Sequence, residues 1–197
     1  MGLDSYAWIA AVLVTLTSTA TLITHDWRVS IGLLAVQFAC GFFLNSMEWP
    51  LALSISIVAA GWLAASILGM GVLGAPLDAR DFKGLPISPA FNLLAAIPIL
   101  LLVVTFAPQV PAWMPALVIE QSWSALVLLG FGLLRLAFDP DPVSTSAALL
   151  SMLLGFELLF SSLSSAYLAV WLLAGITLSI ALAGAYLTLS PYIKEDS

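Results

Sequence analysis

The sequence predicts an all-α fold: a polytopic membrane bundle of seven transmembrane helices, built as two parallel three-helix repeats plus one linking helix. Three observations carry this expectation. Apolar residues make up 62% of the 197 and charged residues only 8%, against roughly 45–50% and about 25% in soluble domains. Seven apolar runs can be drawn, each close to the ~20 residues that cross a bilayer. All five Lys and Arg residues fall on one side of the resulting topology, as the positive-inside rule requires.

The runs are roughly 7–24, 30–46, 51–74, 89–107, 121–138, 145–163 and 166–190. The opening MGLDSYAW has no positively charged n-region, so the first run reads as a retained helix rather than a signal peptide. The second is short and ends at the tight break NSMEWP (45–50), which makes it a hairpin with the third. Gly69, Gly71 and Gly74 mark the third run as a helix-contact surface. Composition then shifts, with seven of the eleven prolines in 76–115. Pro98 sits inside the fourth run, where it removes a backbone donor and favours a kink. The fifth run carries Arg135 near its inner end, before an acidic link, FDPDPVS (138–144). The sixth and seventh form a second hairpin around SSLSS (161–165), with Gly175 and Gly184 as contact residues of the seventh. The chain thus divides into a first three-helix unit (1–74), a linker with the fourth helix (75–120) and a second three-helix unit with a short tail (121–197).

Orientation follows from charge. With the N-terminus outside, the links near 25–29, 75–88 and 139–144 and the C-terminal tail lie inside, and they or their adjoining helix ends hold Arg28, Arg80, Lys83, Arg135 and Lys194. The opposite side carries only Asp4, Glu48 and Glu120. An even number of spans would break this pattern. The expected location is a bacterial or archaeal cell membrane, with the C-terminus cytoplasmic.

GLLAVQFACGFFLNS (32–46) aligns without gaps on ALLSMLLGFELLFSS (148–162). Each follows a short loop bearing Asp and precedes a tight turn and a long apolar helix, which is the basis of the repeat. Gly41 matches Glu157, so only the second copy carries a carboxyl group. Glu157 lies about twelve residues into its run, or roughly 18 Å at 1.5 Å per residue, inside a hydrocarbon core about 30 Å thick. A charge there costs roughly 2.5–3.5 kcal/mol on insertion scales. Glu157 is therefore expected to face protein or water and to be able to carry a proton. The competing reading is a protonated Glu that only bonds a neighbouring helix.

The other polar residues read more plainly. Gln37, mid-span, is expected to bridge helices through its amide. Arg135 is expected to snorkel to the interface or to pair with Asp139. His25, in THDWR, is expected to hydrogen-bond at the interface. Trp8, Trp27, Trp49, Trp113 and Trp123 fall near span ends, as an aromatic belt does. Cys40 is single and lies in an apolar run. No phosphate loop, catalytic set or paired metal ligands occur, and no basic patch suits nucleic acid. No catalytic activity, cofactor or metal of its own is expected.

LLGFELL, between a short inner loop and a tight outer turn, resembles the K-type small membrane subunit of respiratory complex I and the C subunit of multisubunit cation/proton antiporters. In that group a Gly-x-Glu-Leu segment carries a buried glutamate of the proton path; the matching residues here are Gly155, Phe156, Glu157 and Leu158. The whole layout resembles component E of formate-hydrogenlyase-type membrane hydrogenases, with DWRVSIGLLAVQ (26–37) similar to the start of its second helix through Arg28, Ser30, Gly32 and Gln37. The resemblance implies a membrane subunit of a proton-translocating oxidoreductase complex, partnered by many-helix antiporter-like chains and lipid. Glu157 would be its proton-transfer residue, with Gln37 and Arg135 as supporting polar groups. Two departures stand out. The family's second glutamate is missing, because 166–190 holds no Asp, Glu, His, Lys or Arg, and its basic inner loop is replaced by an acidic one. A complete proton wire would then need water or a neighbouring subunit. Three alternatives remain open: a structural scaffold subunit, a stand-alone small-solute or ion transporter, and a pigment-binding subunit using His25.

Overall fold

The computed structural model describes residues 3–24, 26–74, 89–161, 163 and 167–193. Among them, seven helices are long and apolar enough to cross a membrane, and the protein is an integral membrane helical bundle. Its helices are α1 (Leu3–Ile23), α2 (Trp27–Asn45), α3 (Leu51–Gly74), α4 (Pro89–Phe106), the short α5 (Val110–Trp113), α6 (Ile119–Phe138), α7 (Pro142–Phe160) and α8 (Tyr167–Ile193). A 3-10 turn, Ala107–Gln109, joins α4 to α5, and these three pieces make one span. The helix α4 continues through Pro98.

Local sequence sets the helix starts earlier than hydropathy alone does. Asp26 caps α2 by accepting from the Arg28 N–H at 2.9 Å, so the helix begins at Trp27 rather than near 30. Asp141 accepts from the Ser144 N–H at 3.0 Å and Pro142 occupies the first turn, a strong helix-start combination. The helix α7 therefore runs Pro142–Phe160 instead of the expected 145–163.

The bundle is two rows of three. One row is α1–α2–α3 and the other α6–α7–α8, with α1 against α6, α2 against α7 and α3 against α8; α4 packs outside, on α1 and α6. Without a hydrophobic drive between helices in lipid, close backbone approach at small residues supplies the packing. A Cβ on Gly71 would stand 2.8 Å from Ala185 Cβ, and one on Gly155 2.9 Å from the Ala125 carbonyl. Gly184 sits against Ser146 and Leu68, and Gly61 against the Phe38 ring. Gly69 and Gly175, expected to be contact residues, have only Ile31 at 3.8 Å and nothing within 4 Å, respectively. Helical periodicity turns them away from the seams that Gly71 and Gly184 occupy.

Gly71→Ala should therefore lower stability by about 1–3 kcal/mol through overpacking against α8. Gly175→Ala should leave it unchanged or raise it by up to about 1 kcal/mol, since Ala is the better helix former. Thermal unfolding of the two variants in one detergent compares them directly.

Candidate functional site

Polar side chains inside the bundle gather at two levels. The first begins at Arg135, in the last turn of α6. Its Nε donates to Ser144 Oγ at 2.8 Å and an Nη to Ser30 Oγ at 2.9 Å, tying α6 to the starts of α7 and α2. Arg135 is 8% exposed, so it neither snorkels outward nor directs these bonds to a carboxylate. The hydroxyls of two adjacent helix starts lie within its reach, while Asp139 and Asp141 act on it through their charge. Beyond the guanidinium, a small cavity is lined in part by Ser18, Thr21, Gln37 and Ser151. Gln37 then bridges three helices as expected. Its Nε2 donates to Ser18 Oγ of α1 at 3.1 Å, and its Oε1 accepts from Ser151 Oγ of α7 at 2.8 Å.

The second level lies at the other end. Glu157 is 1% exposed, and its Oε2 is buried with no hydrogen-bond partner among the described residues. The early start of α7 shifts its place in the helix: Glu157 stands in the last turn, which closes at Phe160 rather than at 163. Packing against neighbouring helices desolvates it. Trp49 closes this end. Expected in the aromatic belt, it is 4% exposed, and its Nε1 donates to the Ser161 carbonyl at 2.9 Å, joining the α2–α3 turn to the end of α7. Gln121 reinforces the same end. It donates to the Leu44 carbonyl at 2.8 Å and accepts from the Val118 N–H at 3.4 Å, the return half of a capping box. Trp123 also turns inward, donating to Thr15 Oγ1 at 3.1 Å, whereas Trp8 and Trp113 are exposed near span ends.

Between the two levels, α7 presents Leu154, fully buried against Gly41. The structure thus joins Arg135 and Gln37 in one polar region and leaves Glu157 in another. Three residues of the second region escape sequence reading. Asn45 and Ser54 look like a turn residue and a minor helix hydroxyl, yet both are 0% exposed with unpartnered side-chain atoms. Glu120, assigned to the outer surface from its place in a link, is 5% exposed in the first turn of α6, with Oε2 unpartnered. Ser124, at i+4 on the same face, donates its hydroxyl to the Glu120 carbonyl at 2.8 Å. His25, Arg80, Lys83 and Lys194 lie outside the described residues. Among the described residues, no group of three or more His, Cys, Asp or Glu could hold a metal ion.

Arg135→Lys should cost about 1.5–3 kcal/mol, because a point charge cannot keep both hydroxyl bonds; chemical denaturation in detergent measures it. Asp141, outside the spans, provides a pH test. Burial pushes its carboxyl above the ordinary aspartate range, outweighing the Ser144 N–H that favours the charged form. A raised value means that the fold prefers the proton. Its stabilising contribution is present at acid pH and is lost as pH rises through the raised value. Asp141→Asn keeps a good N-cap, so it should flatten this dependence and be the more stable protein at neutral pH. A steeper pH profile in the variant would contradict this. Comparisons with protein-family models, with curated proteins and with solved structures give no match for this chain.

Proposed function

We propose that the chain is a non-catalytic membrane subunit of a complex-I-like or hydrogenase-like proton-translocating assembly, in which Glu157 contributes an intramembrane carboxyl group to the proton path. The observation that carries this reading is the Glu157 side chain: a carboxyl buried inside a membrane bundle, with an oxygen that bonds none of the described residues. Intramembrane ionisable residues are rare, costly and as a rule functional. Gln37 and Arg135 have their bonding capacity engaged between helices; Glu157 keeps part of its own free, which disfavours a scaffold role for it.

The apolar step at Leu154 bears on the route. It separates Glu157 from the Gln37 level, and a guanidinium at the far end of that level repels a cation. A proton is therefore expected to pass Glu157 laterally, between this chain and neighbouring many-helix subunits, rather than from one face to the other through this chain. In this reading the N-terminus is outside and the C-terminus is in the cytoplasm of a bacterium or archaeon. Lys and Arg then lie inside, with Arg135 at the inner end of the bundle.

Two experiments test the proposal. Purification of the tagged chain in mild detergent should bring down large antiporter-like membrane chains and redox subunits; a chain that purifies alone, or with bound pigment, would point to the transporter or chromophore alternatives. In the intact assembly, Glu157→Gln should reduce coupled proton transport roughly tenfold or more, a barrier change of about 1.4 kcal/mol or above, while subunit composition stays the same. Undiminished pumping would leave the scaffold role.

A further inference from the structure

Two further side chains are in the same condition as Glu157. Both amide atoms of Asn45, Ser54 Oγ and Glu157 Oε2 are buried without hydrogen-bond partners among the described residues, and the three residues are at most 1% exposed. Helix register brings them to one level. Along the parallel pair α2–α7, Gln37 meets Ser151 and Gly41 meets Leu154; the next turn sets Asn45, at i+4 from Gly41, beside Glu157, at i+3 from Leu154. Along the antiparallel pair α2–α3, the Phe38 ring meets Gly61 and Trp62 bonds the Ala35 carbonyl. Two turns on, Asn45 (i+7 from Phe38) lies across from Ser54 (i−7 from Gly61). The Trp49 indole, fastened to the Ser161 carbonyl, covers this end.

We propose that Asn45, Ser54 and Glu157 enclose a binding site for an internal water molecule, and that this water is the group with which Glu157 exchanges its proton. The donor and acceptor balance selects the ligand. Asn45 offers both an N–H₂ donor and a carbonyl acceptor, Ser54 offers a hydroxyl that does either, and Glu157 offers a carboxyl oxygen. A ligand that donates and accepts at once satisfies all of them, and buried waters make about three such bonds. A bare cation would leave the Asn45 N–H₂ unmet. Groups of this kind, buried and unsatisfied by protein, are those that ordered water serves. The proton-exchange role rests on the proposed function; the water site stands without it.

The test uses full-length protein in lipid nanodiscs and the infrared spectrum of wild type minus Glu157→Gln, which isolates the Glu157 carboxyl at a pH where it is protonated. The expected C=O stretch lies at the lower frequency of a hydrogen-bonded acid and shifts in D₂O. It should move toward the frequency of an isolated acid in Asn45→Leu and part of the way in Ser54→Ala, a change small enough to leave folding intact. A band already at the isolated position, unmoved by Ser54→Ala, overturns the water site. Loss of the band on adding sodium chloride, but not choline chloride, at constant pH also overturns it, in favour of a cation. None of these outcomes depends on transport, so failure of the water site and failure of the proton-path reading are told apart by the pumping of the Glu157→Gln assembly.

Discussion

Hydrocarbon supplies no hydrogen bonds, and a polar group placed in it must find its partner in protein or in trapped water. Gln37 shows how far that constraint reaches here. One amide draws α1 and α7 onto α2 through Ser18 and Ser151. Below it, Arg135 draws α2 and α7 onto α6 through Ser30 and Ser144. The two rows of helices are held in register by these few bonds, while Gly71, Gly155 and Gly184 let the backbones come close enough for them to form. Apolar side chains fill the remaining seams, but because lipid is as apolar as leucine they cannot by themselves choose which helix lies beside which.

The region around Glu157 departs from this economy. Where the Gln37 level is paired across helices, the other end leaves atoms of Asn45, Ser54, Glu120 and Glu157 without partners among the described residues. Buried polar atoms in that state cost stability, and their concentration at one end, near an indole that is itself bonded across two turns, is what the proposed site rests on. Two residues that look alike in sequence, an Arg and a Glu in apolar helices, thus have opposite surroundings here. Arg135 bonds across three helices, whereas Glu157 Oε2 has no partner among the described residues.

Helix number, span lengths and the two hairpins were legible in the sequence because each depends on local quantities: apolar run length, the breaks NSMEWP and SSLSS, and proline density between the third and fifth runs. Gln37 as a bridge was legible too, since an amide at mid-span has no other way to be satisfied. The bounds of the helix that carries Glu157 were misjudged for a local reason, the Asp141–Pro142 helix start, whose capping chemistry outweighs hydropathy at the boundary. Arg135 and Trp49 were misjudged for a different reason. Each was read as an interfacial residue from its position near a span end, and only the neighbouring helix starts and turns show that both are bonded inward.

What the sequence by itself determined is therefore the set of membrane helices and the presence of a carboxyl group among them, because hydropathy and helix signals act within a single segment. Tertiary structure decided the rest. It set the order of the two rows, placed the Leu154 step between the polar levels and buried Asn45, Ser54 and Glu157 alike inside the bundle. Those choices depend on register between helices distant in sequence, and one residue of slip in any helix would turn a different side chain toward the site.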